Sequence, residues 1–497
     1  MVDEAEDGDD GSIIDSGVAS HPSGSPPETK PVAETVEGVD IISSMPHVIL
    51  HHILSFIPTQ FAIRTSALSK AWRHVWCHTP CLYFHNLQDN GEKTARVINQ
   101  TLSSYKAPKI TSFHLDLPRY VPQPQVNTWM EFVVSRNVEK LSLVFDGYTT
   151  QCFPDFFYRS SSLEKLRVNF EMNLGCTISW KSLRNLTLSN CSLYESSLAN
   201  ILSGSPILET LKLSNCRGPQ RLDLSKSRSL RTLHIWDYRR DPTEMIDDYV
   251  ERYEGPTEIV APHIQYLSLS RSYEPFTLVD VSCVTEASLD IYIGPSPYIN
   301  VEELPFSFKA DIFQTAVLKM LANLQNAERL SFGETFLQIL SLAQLRGVPF
   351  PTFKVQTLTL ETTLARSVIP GITRLLHNSP GLEKLIVEAS QWGEIKDGDM
   401  YSYLESQGLN PNQRWRAYKL FPTSDEFYAI VNDKESTWEV VALFVEMMLI
   451  NVTALETLVV GLKCIGRCFG NAELQEKLLQ MLPTLPNINN VSIVLKG

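Results

Sequence analysis

Histidine and cysteine are the residue types whose spacing first invites chemistry. His74, Cys77, Cys81 and His85 follow one another at intervals of two or three residues, and four such side chains hold zinc when they converge. The intervals match no standard zinc finger, so Cys77 and Cys81 read as small core residues. Cys464 and Cys468 have no histidine nearby. Gly461, Gly466 and Gly470 make no phosphate loop, because no Gly-Lys-Ser/Thr follows. There is no Gly-x-Ser-x-Gly elbow, no His-Glu-x-x-His, and no carboxylate pair distinct from ordinary surface acids. The sequence therefore predicts no catalytic residue, no metal and no cofactor. Whatever this chain does, it does by binding.

The chain has 497 residues and a net charge of -13, with 43% hydrophobic and 20% charged residues. A large core is within reach. Residues 1–39 are acidic, rich in Gly, Ser and Pro, and poor in large apolar residues, the composition of a disordered tail. Residues 1–40 alone contribute -10, so the remaining chain is nearly neutral. No stretch reaches the ~18 apolar residues of a membrane span. An acidic balance also disfavours nonspecific binding to nucleic acid or anionic lipid. The nine cysteines are odd in number and scattered, which fits a reducing compartment. With no secretory signal at the N-terminus, the expected location is cytoplasm and/or nucleus.

Beyond residue 100 a template recurs, Leu-x-x-Leu-x-Leu, with Ile, Val or Phe as substitutes. Leu183-Leu186-Leu188 ends at Cys191, and Leu208-Leu211-Leu213 ends at Cys216. Both place Cys where leucine-rich repeats take Asn or Cys. Further copies start at Ile110, Val138, Leu163, Leu230, Ile264, Val355, Leu382 and Leu455, and weaker ones at Val284, Ala327 and Ile488. Each copy predicts one short strand whose Leu residues need a neighbouring copy to cover them, so the copies must stack into a solenoid. Segments such as Tyr194–Leu202 predict helices on its convex side, stopped at Gly204-Ser205-Pro206. Residues 391–437 are polar and read as a long insertion.

From Ile41 to Phe84 there is no acid, and five histidines and three strong bases are present. Pro46 opens a helix carrying Ile49, Leu50, Ile53, Leu54 and Ile57 on one stripe. Pro58 ends it, and Thr59 is placed to cap a second helix. Ser69 is placed to cap a third, bearing Trp72, Val75 and Trp76. So many apolar residues in 45 positions imply that some face a partner.

This stretch, Asp40-Ile-Ile-Ser-Ser-Met-Pro-His-Val-Ile-Leu-His-His-Ile-Leu-Ser-Phe-Ile-Pro-Thr59 and then Ala67-Leu-Ser-Lys-Ala-Trp-Arg-His-Val-Trp76, resembles an F-box. More narrowly it is similar to the plant type that precedes leucine-rich repeats and an FBD-like C-terminal region. The close match covers the F-box, and the repeats match by pattern. The last stretch, about Trp438 to Leu495, resembles the FBD ending through Leu455-Glu-Thr-Leu458 and the closing Asn-Val-Ser-Ile-Val-Leu. Met45, His47, Val48 and Ala71 depart from the family's Leu, acids and Arg. The absent acids remove possible polar contacts with a partner.

The resemblance implies an α/β chain. A disordered tail (1–39) comes first, then a three-helix F-box (40–84). An irregular leucine-rich-repeat solenoid (100–390) has parallel strands on its concave face and helices on its convex face. The polar insertion (391–437) and an FBD-like region closing the solenoid (438–497) follow. It also implies a substrate-recognition subunit of an SCF-type cullin–RING ubiquitin ligase, not itself an enzyme. The F-box would dock on a Skp-type linker subunit and, through it, on cullin. The docking residues then fall on Met45, Pro46, Ile49, Leu50, Ile53, Leu54, Ile57, Pro58, Leu68, Ser69, Trp72 and Trp76. A protein substrate would meet the concave positions Ser142, Arg167, Thr187, Lys212, His234, Ser268 and Thr359. Among these, Arg167, Lys212 and His234 favour an acidic or phosphorylated target. Two alternatives stay open: a repeat scaffold with no ligase role, and a small-molecule receptor acting through the same ligase.

Overall fold

The computed structural model describes residues 44–85, 91–117, 121–145, 152–237, 258–272, 276–292, 306–390, 395–430, 434–452, 454–462 and 491–496. The acidic tail predicted over 1–39, and Cys464, Gly466, Cys468 and Gly470, lie outside these residues.

After Pro46 come two helices, α1 (His47–Leu54) and α2 (Thr59–Arg64). A 3-10 turn at Thr65–Ala67 and a 3-10 helix at Trp72–His78 follow. The third helix of the module is thus 3-10 in form. Pro46 and Pro58 occupy the positions just ahead of α1 and α2, in extended conformation. Leu50, Leu54, Ala62, Trp72, Val75, Trp76 and Cys77 form the module's small core.

The rest is a stack of strands. In chain order they are β1 (Cys81–Phe84), β2 (Ser112–Leu117), β3 (Lys140–Phe145), β4 (Lys165–Asn169), β5 (Asn185–Ser189), β6 (Thr210–Ser214), β7 (Arg221–Asp223), β8 (Thr232–Asp237) and β9 (Glu258–Val260). They continue as β10 (Tyr266–Ser272), β11 (Thr277–Asp280), β12 (Glu286–Tyr292), β13 (Arg329–Phe332), β14 (Thr357–Thr362), β15 (Lys384–Ala389), β16 (Thr457–Gly461) and β17 (Ser492–Lys496). Fourteen of them form one sheet in the order β1-β2-β3-β4-β5-β6-β8-β10-β12-β13-β14-β15-β16-β17. Every pairing in it is parallel. The thirteen sequence templates correspond one for one to β2–β6, β8, β10 and β12–β17. Inward template residues are sealed: Leu183, Leu186, Leu188, Leu208 and Leu233 are all fully buried.

The helices are α3 (Gly91–Ser104), α4 (Gln123–Val134), α5 (Asp155–Tyr158), α6 (Glu195–Gly204), α7 (Phe306–Asn323), α8 (Glu334–Arg346) and α9 (Ile369–His377). Then come α10 (Asp397–Ser406), α11 (Pro411–Arg414), α12 (Ser424–Ile430) and α13 (Lys434–Asn451). Apart from the short α11 they contribute to one continuous core with the inward face of the sheet, and α10 packs on α7 and α8. Two glycines mark where backbones approach too closely for a side chain. A Cβ on Gly204 would stand 2.4 Å from the Ile178 carbonyl oxygen, and one on Gly371 would stand 2.6 Å from that of Leu337. Gly371 thereby lets α9 lie directly on α8, where its N–H donates to Ser341 Oγ at 2.9 Å. Asn137, Asn190 and Asn215 take the left-handed conformation, which Asn tolerates better than other non-glycine residues.

Three features differ from expectation. First, β1 joins the sheet, so the F-box-like stretch runs into the repeats without a spacer. Thr59 does not cap α2; its hydroxyl accepts from the Tyr83 N–H at 2.7 Å and fixes α2 to β1. The Lys106 and Ala107 N–H groups donate to the Cys77 carbonyl, and the buried Tyr105 hydroxyl donates to the Thr79 carbonyl at 2.7 Å. Second, the helix side of the middle repeats carries a small parallel sheet, β11-β9-β7. Leu222, Leu224, Ile259 and Leu278 fill the space a helix fills elsewhere. Third, the stretch read as a polar insertion (391–437) is largely helical where described. Met400, Tyr403 and Leu404 of α10, with Trp415, Phe421 and Phe427, are buried. The Tyr403 hydroxyl joins Asp311, Gln314 and Arg346 in one network at 2.6–2.8 Å. Burial raises its pKa to about 12, aided by the Asp311 carboxylate.

Candidate functional site

Two surfaces stand out. The first is the outer side of the three-helix module. Val48, Phe56 and Leu68 are 78%, 74% and 69% exposed, and Ile49, Ile53 and Phe61 are exposed beside them. A small domain rarely shows that much apolar area unless something covers it. Not one acid lies between Ile41 and Phe84, while Arg64, Lys70 and Arg73 are exposed. His51 sits inside a histidine group, 6.1 Å from His47 and 6.2 Å from His78 by ring centroids. Burial, with His78 and His47 beside it, holds its pKa below the ordinary value.

The second is the outward face of the large sheet. Strand side chains alternate between faces, and the pairings hold one register across the sheet. One row therefore runs Tyr83, His114, Ser142, Arg167, Thr187, Lys212, His234, Ser268, Ser288, Ser331, Thr359, Ile386, Val459, Val494. All seven predicted concave residues lie in this single row. Arg167 and Lys212 are exposed and the other five are half-buried. Alongside, Lys140 and Lys165 pair across β3 and β4. Lys140, Lys165, Arg167 and Lys212 have no ion pair with a described carboxylate, whereas farther along Arg329 Nε is neutralised by Glu286 at 2.7 Å. Ser142 Oγ is buried in the gap between His114 and Arg167, with no hydrogen-bond partner among the described residues. On the other side of the row, Trp236 is 56% exposed, in register with Ser214 and Ser270. The His234 ring lies 5.1 Å from that of Tyr266. Burial, with Lys212 adding to it, keeps the His234 pKa low. The near half of the face is thus cationic with aromatic edges, and its far end is aliphatic.

Comparison with known proteins covers both regions. Residues 42–83 match the F-box domain family. Residues 126–251 match the family described as "FBD-associated F-box protein At5g56370, LRR repeats". "Putative F-box/LRR-repeat protein At5g02700" of Arabidopsis thaliana is 48% identical over 478 residues, 94% of this chain and 95% of that one. The chain belongs to the F-box/LRR-repeat protein family. "F-box/LRR-repeat protein At5g02910" of the same plant is 45% identical over 469 residues, 93% of this chain and 96% of its own length.

Within the F-box, the predicted docking residues divide. Leu50, Leu54, Trp72 and Trp76 are buried in the module's own core and offer no free surface. Pro46, Ile49, Ile53 and Leu68 are exposed, and Met45, Ile57, Pro58 and Ser69 are half-buried. Phe56, Phe61 and Val48 were missed, because a stripe at helical spacing does not say which of its residues a third helix will cover. In the repeats, Trp236 was missed although it stands two residues after His234, the next outward position of the same strand. Cys191 and Cys216 are buried as the template requires, and their thiols donate to the Phe170 and Leu188 carbonyls at 3.1 and 3.3 Å. His74, Cys77, Cys81 and His85 do not converge; His85 turns instead to Asp116 of β2 at 2.6 Å.

Proposed function

We propose that this F-box/LRR-repeat protein is the substrate-recognition subunit of an SCF-type cullin–RING ubiquitin ligase. The exposed apolar side of the F-box docks on a Skp-type linker subunit and so joins the cullin. The outward sheet face holds a protein substrate. The observation that carries this reading is the exposure of Val48, Ile49, Ile53, Phe56, Phe61 and Leu68 on a module free of acids from Ile41 to Phe84. Such a surface suits a partner with a hydrophobic groove rimmed by acids. On this reading the conjugating enzyme does the isopeptide chemistry. The chain contributes proximity by raising the local concentration of a substrate lysine. Its place of work is the cytoplasm and/or nucleus. On the sheet face, Lys140, Lys165, Arg167 and Lys212 favour an acidic or phosphorylated segment, with Trp236 as an aromatic anchor.

The test is co-purification of the intact chain with a Skp-type linker, compared with a Phe56→Ser/Leu68→Ser variant. The wild type retains the linker and the variant loses it. A wild-type chain that folds but retains no linker overturns the reading in favour of a scaffold.

A further inference from the structure

The first two strands of the sheet bring together two imidazoles and a carboxylate at the F-box end of the outward face, of which only His114 belongs to the middle row. His114 and Asp116 stand two residues apart on β2, so they share its outward face. His85 follows β1 directly, and β1 pairs with β2 in register through Phe84 and Leu115. One donor atom from each of the three lies within 4.8 Å of the other two, and this is the only such group of His, Cys, Asp or Glu among the described residues. His85 Nδ1 stands 2.6 Å from Asp116 Oδ2. Tyr83 backs the group: its ring lies 4.4 Å from that of His114 and is stacked on that of His85 at 5.7 Å. Both imidazoles are therefore supported by one aromatic wall.

We propose that His85, His114 and Asp116 form a binding site for a divalent transition-metal ion of the zinc class. Two imidazole nitrogens and one carboxylate are the donors such ions prefer, whereas magnesium and calcium take oxygen. Tetrahedral coordination at 2.0–2.2 Å sets donors roughly 3.4 Å apart, so an ion entering here would replace the 2.6 Å contact of His85 with Asp116 and sit among donor atoms that already lie within 4.8 Å of one another. Three protein ligands leave a fourth position for water or for a donor atom from whatever lies on the sheet face. The ion would clamp His85, two residues beyond the F-box match, to the first repeat strand.

The test titrates the metal-free full-length chain with zinc chloride by calorimetry, and with cobalt(II) by visible absorption. One ion binds per chain, zinc raises the melting temperature, and the cobalt spectrum shows d–d bands without the intense near-ultraviolet thiolate band. His85→Gln, His114→Gln and Asp116→Asn each weaken binding tenfold or more and abolish the melting shift. His85→Gln, at an exposed position, decides the matter even if His114→Gln fails to fold. The proposal is overturned if the wild type binds no zinc. It is equally overturned if affinity survives His85→Gln, or if a thiolate band places the ion on cysteines.

Discussion

On the F-box the outward side chains are Val48, Ile53, Phe56 and Leu68, whereas along the middle row of the sheet they are His, Ser, Arg, Thr and Lys. The same chain thus exposes oil in one place and hides it in the other. The sheet can hide its Leu residues because each repeat is covered by its neighbours and by a helix or, in the middle repeats, by the small sheet β11-β9-β7. The F-box is three short helices, and once Leu50, Leu54, Trp72 and Trp76 fill its core the remaining apolar residues have nowhere to go. An apolar surface of this kind gains most from a large, dry, lasting contact. A polar, cationic one suits contacts that carry water, read charge and come apart.

The sharpest way to break this comparison is to confuse core with surface inside the F-box. Trp72→Ala removes a buried indole and is expected to destabilise the module by about 3–5 kcal/mol, seen as early loss of structure in a thermal melt. Phe56→Ser with Leu68→Ser is expected to leave the melt unchanged yet weaken linker docking at least tenfold in a titration. A matching loss of stability would show those residues to be core. On the sheet, Arg167→Glu with Lys212→Glu should change stability by no more than about 0.5 kcal/mol. Capture of an acidic or phosphorylated segment should fall to the level that high salt produces with the wild type. Capture that ignores both salt and charge reversal would remove the electrostatic reading of that face.

The smallest expected effect is that of pH. His51, His114 and His234 all titrate below their ordinary value, chiefly because they are buried. The unfolded chain then takes up protons first, at about pH 6.5. Stability is fully present above that value and declines as pH falls through it. Melts at pH 7.5 and 5.5 should show the decline, and His51→Gln should remove only the F-box share.

Much of this was legible in the sequence, and the failures have physical causes. Thirteen strands were visible because each repeats three inward apolar positions. β1 was not, because Leu82 and Phe84 alone make no template and the F-box pattern overlaps them. The strands β7, β9 and β11 were hidden for a similar reason, being three or four residues long. The helices of 397–430 were masked by their polar outer faces, although Met400, Tyr403 and Leu404 stand at i, i+3 and i+4. On the sheet, alternation alone named the row of candidate residues. On the F-box, periodicity found the stripe but could not divide it between core and partner. The trio His85, His114 and Asp116 was invisible because it depends on pairing between residues about thirty positions apart.

The unbroken register of the fourteen strands has a consequence of length. Neighbouring strands stand about 4.8 Å apart, so the row from Tyr83 to Val494 runs roughly 60 Å along the sheet. An extended peptide advancing about 3.3 Å per residue needs nearly twenty residues to cross it from end to end. A short recognition motif therefore touches only a few adjacent repeats, and the cationic repeats nearest the F-box differ from the aliphatic ones at Ile386, Val459 and Val494. In the proposed ligase complex the row would act as a ruler with unlike ends, fixing which end of a long target segment lies closer to the linker.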